Sequence, residues 1–384
     1  MSGYAEIVLH HRPIEGFAAA GLLGPGLRMQ HVHSMGPARI ALPPLATGRH
    51  FLEQWPVREY PTQGAWRQSA YDSYAPPTFL IQDALVHSSA GIVAVKDQTI
   101  IETMGHTEPD LHGFRSLARG IALRPRSIRR FAGAHISLLA GAENNYYHSL
   151  LLSLARLGAV PENYQAAAAG ILVAKGATRQ NEVLALLDLM PSLAVEEVER
   201  DETLHVEKLI LQLGVCAESA FHPCVADFFH AVSTNVAKHG KPTPPRFYID
   251  RGGSNLRPLI NERELINALI GHGFVVVRPE TMSVADQVRL FRGAETIVSP
   301  HGAGLTNLGF CRPGTRVIEM LPDSFCNWCF RHLSGLMQLN YDCVLGRSRK
   351  PWPNVGEGLH FVPWQISVNH VVAAVSQSVE RAAA

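Results

Sequence analysis

After Lys241 the chain falls into a rhythm that few architectures satisfy. The short runs RFYID, FVVVRP, ETIVSP, TRVIEML and YDCVLG are largely apolar without polar alternation, and segments of helical period separate them. A strand apolar on both faces is buried on both faces, and strands joined through helices pair in parallel. The rhythm predicts a parallel sheet with helices on both sides, a Rossmann-like layout. The helical segments carry their own boundary signals. NERELINALIGHG opens on Asn261 as a cap, has Glu264 three residues on as in a capping box, and can stop at Gly271 or Gly273. SVADQVRLFRGA opens on Ser283 with Asp286 three later, and puts Val284, Val288 and Phe291 on one stripe. Further helices are expected from Thr306, within FCNWCFRHLSGLMQL, and within WQISVNHVVAAVSQSVERA.

The best boundary in the chain is KPTPP, Lys241 to Pro245, where three prolines break any helix and favour an extended linker. Upstream, Thr78 to Thr103 reads as short strands joined by turns at Ser88–Gly91 and Lys96–Gln98. His135 to Leu139 is a strand and Gly141 to Asn145 a turn. From Tyr146 the period becomes helical, with Leu150, Leu151, Leu154 and Leu157 on one face. A strand in AAGILVAKG, a helix in RQNEVLALLDLM, mixed strand and loop in AVEEVERDETLHVEKLILQLG and a helix in PCVADFFHAVSTNVAKHG follow. The first ~70 residues are irregular, and Trp55, Trp66, Tyr71 and Tyr74, in or just after them, suit either core packing or stacking on a sugar ring. The expected organisation is an N-terminal domain over 1–240, a second domain over 241–364, and a C-terminal helix over 365–384 able to pack back on the first.

A chain of 384 residues exceeds one ordinary core. Its 34 basic and 33 acidic residues leave a net charge of +1, which excludes broad phosphate-backbone binding and so a nucleic-acid partner. The RPRSIRR cluster, Arg124 to Arg130, reads as a solvated turn and helix face. No run reaches the roughly 18 apolar residues of a membrane span. GFAAAGLLGPG is short and broken by Gly and Pro, so it reads as a loop and helix start, not a signal peptide, and a cytoplasmic location is expected. Six cysteines in so long a chain suggest reduced thiols. The C-x-x-C of Cys326 and Cys329, with Cys311 and Cys343 near it in sequence, falls in an amphipathic helix and reads as packing before zinc.

In an open parallel sheet, ligands bind beyond the carboxyl ends of the strands. RFYID leads into Arg251, Gly252, Gly253 and Arg257. ETIVSP leads into His301, Gly302, Ala303 and Gly304. TRVIEM ends near Glu319. The glycines let backbone N–H groups approach an anion, the helix from Thr306 points its positive end there, and His301 can donate to a phosphate or leaving-group oxygen. A tight strand-to-helix connection without a ligand is the other reading. Arg251 and Arg257 can clamp a pyrophosphate or pair with Glu262 or Glu264. Glu319 can accept from ribose hydroxyls or pair with an arginine. In the first half, Asn144, Asn145 and His148 mark a strand-to-helix junction, and His148 is either a general base or a histidine packed under the helix start.

The stretch YIDRGGSNLRPLINERELINALIGHGFVVVRPETMSVADQVRLFRGAETIVSPHGAGLTNLGFCRPGTRVIEM, Tyr248 to Met320, resembles the core of glycosyltransferase family 61. It carries that family's two arginines, Asn–Glu, GF, Gln–Leu–Phe, HGAGLTN and PG..viE elements in order. NYYHSLLLSLARL and ALVHSSAGIVAVKDQTIIE resemble its earlier helix and strands, so the likeness runs from Ala84 to Pro322, although the family pattern has an aromatic where this chain has Ser149. The resemblance implies an α/β protein of GT-B type, two Rossmann-like domains facing across a cleft. It implies inverting transfer from a nucleotide sugar, with a UDP-sugar favoured, to a glycan or lipid-linked saccharide, in the making of a surface polysaccharide such as capsule, lipopolysaccharide or exopolysaccharide. The donor side would comprise Arg251, Arg257, Asn261, Glu262, His301, Gly302, Ala303, Gly304, Thr306, Asn307 and Glu319, and the acceptor side Asn145 and Tyr147. His148 is the first candidate for the base and Glu143 the second. The chain has no Asp-x-Asp, so neither a metal nor another cofactor is expected, and the positive groups would stabilise the leaving diphosphate. Peripheral membrane association and homo-oligomerisation are compatible with this reading. The alternative is a sugar-nucleotide-binding scaffold that has lost catalysis.

Overall fold

The computed structural model describes residues 10–45, 62–88, 91–96, 98–100, 128–187, 193–200, 202–217, 219–236, 242–251, 256–349 and 362–382. Trp55, Gly252, Gly253, Thr103, Lys241 and most of the Arg124–Arg130 cluster lie outside them. The protein is α/β, and its contacts separate two units: residues 1–38 with 73–235, and residues 39–72 with 236–384.

The sheet of the first unit is mixed. Its strands run in the order His10–Arg12, Gln98–Ile100, Ile92–Val95, Pro77–His87, Thr203–Gln212, Arg129–Ser137, Gly170–Ala174 and Ala194–Val198, with Met29–Ser34 also against Pro77–His87. The last four are mutually parallel, as a Rossmann-like half requires. Pro77–His87, Ile92–Val95 and Gln98–Ile100 are antiparallel to their sequence neighbours, because connections of a few residues are too short for a parallel crossover. The charged stretch from Ala194 proves to be two strands, Ala194–Val198 and Thr203–Gln212.

The segment from Tyr146 is helical, but not as one regular α-helix. A wide π-type turn spans His148–Ser153 and a tight 3-10 run spans Leu154–Ala159. The four leucines are buried as expected, and so are Ser149, Ser153, Ala155 and Arg156. With no solvated face, neighbours dictate the winding. Ser149 Oγ donates to Thr178 O at 3.0 Å and Ser153 Oγ to Leu138 O at 2.6 Å. A Cβ on Gly158 would lie 2.4 Å from Cys224 O, so the helix Cys224–Thr234 approaches closely there.

The second unit has the strand order Val275–Val277, Arg246–Ile249, Thr296–Pro300, Arg316–Pro322, Asn340–Ser348 and Trp364–Gln365, with the first five parallel and the last antiparallel. Counted along the chain, the parallel strands lie 2-1-3-4-5, a doubly wound order whose winding reverses between Arg246–Ile249 and Thr296–Pro300. Helices Glu262–Gly271 and Val284–Arg292, the 3-10 run Ala303–Phe310 and helix Cys329–Leu336 fill the connections. Ser283 caps its helix as expected, accepting from Asp286 N. Asn261 does not. Its amide instead pairs with the backbone of Ile366, donating to O at 2.8 Å and accepting from N at 3.1 Å.

The division differs from the expected one in two ways. Residues 39–72 go with the second unit, because the buried Arg331 guanidinium donates to the carbonyls of Pro43, Ala65, Trp66 and Gln68 at 2.8–3.2 Å. Trp66 is core, its indole donating to Cys326 O, and Tyr71 stacks on His332 with centroids 4.5 Å apart. The C-terminal helix Val368–Ala382 stays in the second unit, burying Val371, Ala374 and Val375 in one cluster with Leu265, Leu269 and Ile318. Each such aliphatic side chain removed from water contributes about 1.5–3 kcal/mol for the larger ones. Among the described residues no helix is long and apolar enough to cross a membrane.

Candidate functional site

The winding of the second sheet reverses where Arg246–Ile249 and Thr296–Pro300 end, and at such a point the connections leave in opposite directions and open a crevice. Arg251 and His301 follow those two ends. The Arg251 side chain lies along Gly302, where an added Cβ would sit 3.1 Å from Nε and 3.5 Å from Cζ. Gly302 has an extended backbone, φ 174°, that any residue can adopt. Glycine is therefore required by the arginine's approach and not by a tight turn. Arg251 Nη1 donates to Leu256 O at 2.8 Å.

Arg257 is buried, with its guanidinium 4.7 Å from the Phe325 ring centroid. Burial, and then the charge of Arg251, push its pKa down to about 10. Burial also lowers that of Arg251, against the pull of Glu262. Two partly desolvated guanidinium groups that repel each other favour an anion between or beside them.

His301 is the third positive candidate, and it is supported from behind. Its Nδ1 lies 2.5 Å from Glu319 Oε1, and Tyr341 Oη donates to Glu319 Oε2 at 2.5 Å. Glu319 is wholly buried. Phe325 and Phe330 pack against the imidazole with centroids 5.2 and 5.1 Å away. Burial lowers the His301 pKa, Glu319 opposes the shift, and Arg257 and Arg251 add to it. Burial thus disfavours the charged ring, and the carboxylate stands at Nδ1 to take a proton held there. Both oxygens of Glu319 face side chains of the protein, an imidazole and a phenol, so it supports His301.

Other expected donor-side residues are engaged within the fold. Asn261 holds Ile366, and Glu262 accepts from Tyr248 Oη at 2.7 Å. Burial raises the Glu262 pKa, while the Tyr248 bond lowers it. Asn307 donates to Gln287 Oε1 at 2.7 Å and is fully buried. Thr306 is fully buried too. The helical turn after the histidine starts at Ala303, three residues before the expected start, so the N–H groups of Ala303 and Gly304 belong to its first turn and have no intrahelical partner.

In the first unit, the connections after Arg129–Ser137 and Gly170–Ala174 build one rim. Thr178 N donates to Glu143 O, Thr178 Oγ1 to Asn144 O, and Ser149 Oγ to Thr178 O. Glu143 is buried, and its carboxylate accepts from the backbone N–H groups of Ala140 and Gly141. One carboxylate oxygen, Oε1, thereby closes the turn. Asn145 Oδ1 accepts from Tyr147 N at 2.9 Å, an Asx turn that launches the helix. Tyr147 stands edge-on to His148 at 5.3 Å.

Sequence reasoning missed Tyr341, Phe325 and Phe330. For the first, only the register shows it: Tyr341 lies opposite Val317 and Cys343 opposite Glu319, so Tyr341 is on the diagonal from the carboxylate. The six cysteines carry free thiols, and helix Cys329–Leu336 begins after Cys326, so the C-x-x-C straddles the helix start instead of lying within it. Cys326 Sγ donates to Pro322 O. Among the described residues no group of three His, Cys, Asp or Glu side chains is arranged to hold a metal ion.

Residues 146–318 match the family model described as Glycosyltransferase 61, somewhat less than half of the chain. No curated protein matches it.

Proposed function

We propose, from the match of residues 146–318 to the Glycosyltransferase 61 family model, that this glycosyltransferase takes its sugar from a nucleotide sugar, favouring a UDP-sugar, and inverts the anomeric centre. The reading includes a GT-B arrangement of the two units. The observation that carries it is the Arg251 side chain laid on Gly302 beside His301, at the point where the sheet's winding reverses. Arg251, Arg257 and His301 meet the charge of the leaving diphosphate, so no metal is required for that task. A base deprotonates an acceptor hydroxyl, which attacks the anomeric carbon on the face opposite the departing diphosphate, through an oxocarbenium-like transition state. With Glu143 committed to its turn, His148 is the base in this scheme. The acceptor is a glycan or lipid-linked saccharide of a surface polysaccharide, met by Asn145 and Tyr147.

A thermal-shift series with nucleoside diphosphates, in EDTA and in magnesium, tests the donor half. A ligand at 100 times its Kd adds about 2.7 kcal/mol of stability. Stabilisation by one diphosphate that persists in EDTA and disappears in Arg251→Ala supports the scheme. Stabilisation only with magnesium sinks the metal-free version, and no stabilisation by any nucleotide sinks the donor site.

A further inference from the structure

Tyr341 lies beyond the matched segment, on the strand Asn340–Ser348, and its hydroxyl donates to the buried carboxylate of Glu319. Burying an acid, a phenol and an imidazole together is costly unless each satisfies the next. Here they form one chain: Tyr341 Oη–H to Glu319 Oε2, and His301 Nδ1–H to Glu319 Oε1. We propose that Tyr341, acting through Glu319, is a positioning residue that holds His301 as an Nδ1-protonated imidazole, and that His301 takes a second proton, on Nε2, when a diphosphate binds beside Arg251 and Arg257. This rests on the donor reading given above.

The geometry carries the first half. A carboxylate held at both oxygens cannot rotate, so the imidazole bonded to it has a fixed tautomer and a fixed plane. Phe325 and Phe330, inclined at 61° and 52° to the imidazole, oppose rotation of the ring. The one nitrogen left for a ligand is Nε2, which in this tautomer has a lone pair and cannot donate. A histidine serving a leaving phosphate must donate, so it has to gain a proton.

Charge carries the second half. Arg251 reaches the histidine from the end of Arg246–Ile249 and Arg257 from the loop that follows. Glu319 reaches it from Arg316–Pro322, and Asn340–Ser348 adds Tyr341 and Cys343. Cys326 and Cys329 approach from the segment leading into helix Cys329–Leu336. Burial raises the Cys326, Cys343 and Tyr341 pKa values well above the ordinary range, so those groups are neutral. The charges facing His301 in the free protein are thus two guanidinium groups and one carboxylate, and another positive charge is disfavoured. A diphosphate reverses that sum. The proton comes from solvent to Nε2, no other bond breaks, and Nε2–H then donates to a diphosphate oxygen.

The test uses full-length protein labelled with 15N at histidine, with His301→Gln identifying the signal, and UDP as the probe. The ligand-free protein at pH 7.5 should show Nδ1 protonated and Nε2 unprotonated. UDP should move Nε2 to the protonated range, and calorimetry in two buffers of different ionisation enthalpy should record close to one proton taken up. In Tyr341→Phe, folded by circular dichroism, the Nδ1 signal should move and proton uptake should fall to half or less. An Nε2-protonated tautomer in the free protein overturns the proposal without any variant. So do a wild-type tautomer and wild-type proton uptake in Tyr341→Phe. If neither UDP nor any other nucleoside diphosphate binds, the donor reading falls and proton uptake with it, while the ligand-free tautomer still decides the positioning role.

Discussion

Arg251 lies on Gly302 so closely that a Cβ there would meet the guanidinium end of the side chain at 3.1 Å. The contact is tighter than ordinary packing and is made by a flexible side chain, so the arginine yields first when space is taken. Gly302→Ala is expected to fold normally, since its backbone is extended, yet to bind a nucleoside diphosphate about ten-fold more weakly, as for one charge-assisted bond lost. Titration calorimetry on wild type and variant measures it. Unchanged affinity would show that this placement of Arg251 does not matter.

His301 also makes a prediction about stability. Its pKa in the folded protein is lowered from the ordinary 6.5, first by burial. Above about pH 6.5 both states hold a neutral ring. Between that value and the lower folded pKa only the unfolded chain takes the proton, so stability falls as pH falls, by at most about 1.4 kcal/mol per pH unit. Denaturant melts of wild type and His301→Gln across pH 5 to 8 should show their difference constant above about pH 6.5 and drifting against wild type as pH falls from there toward the lower folded pKa. A constant difference throughout would contradict the burial argument.

Arg331 donates to four backbone carbonyls of the segment Arg39–Asp72. Arg331→Met removes one buried and three part-buried bonds to those carbonyls, and should cost about 3 kcal/mol. Arg331→Lys should recover little of it, because one ammonium cannot span the four carbonyls as a planar guanidinium does. Limited proteolysis should then cut first within 39–72. Retention of wild-type stability in Arg331→Met would mean that the segment is held by its aromatic contacts.

Glu143 and His148 separate by the same logic. Glu143 accepts two backbone N–H groups and acts electrostatically on the buried Arg156. Glu143→Gln keeps the acceptor and loses the charge, so about 1–2 kcal/mol of stability should go while transfer per folded molecule persists. His148→Ala should abolish transfer at nearly wild-type stability. The reverse pattern would reassign the base.

The parallel sheet of the second unit was legible in the chain because its signals are local. Five apolar runs and the caps between them need only neighbours a few residues away, and Ser283 behaves as read because its partner Asp286 is three residues off. Asn261 carried the same local signal and failed, because Ile366, 105 residues on, offers its amide both a donor and an acceptor. The site divides along the same line. Motif and spacing marked Arg251, Arg257 and His301, since a strand end, a glycine and a basic residue lie together in sequence. That Glu319 backs the histidine, that Tyr341 backs Glu319, that Gly302 makes room for Arg251, and that residues 39–72 belong with Arg331 all depend on pairings across sheet register and long loops. Those pairings are set by which side chains packing brings into one low-dielectric interior, and no window of sequence holds both partners.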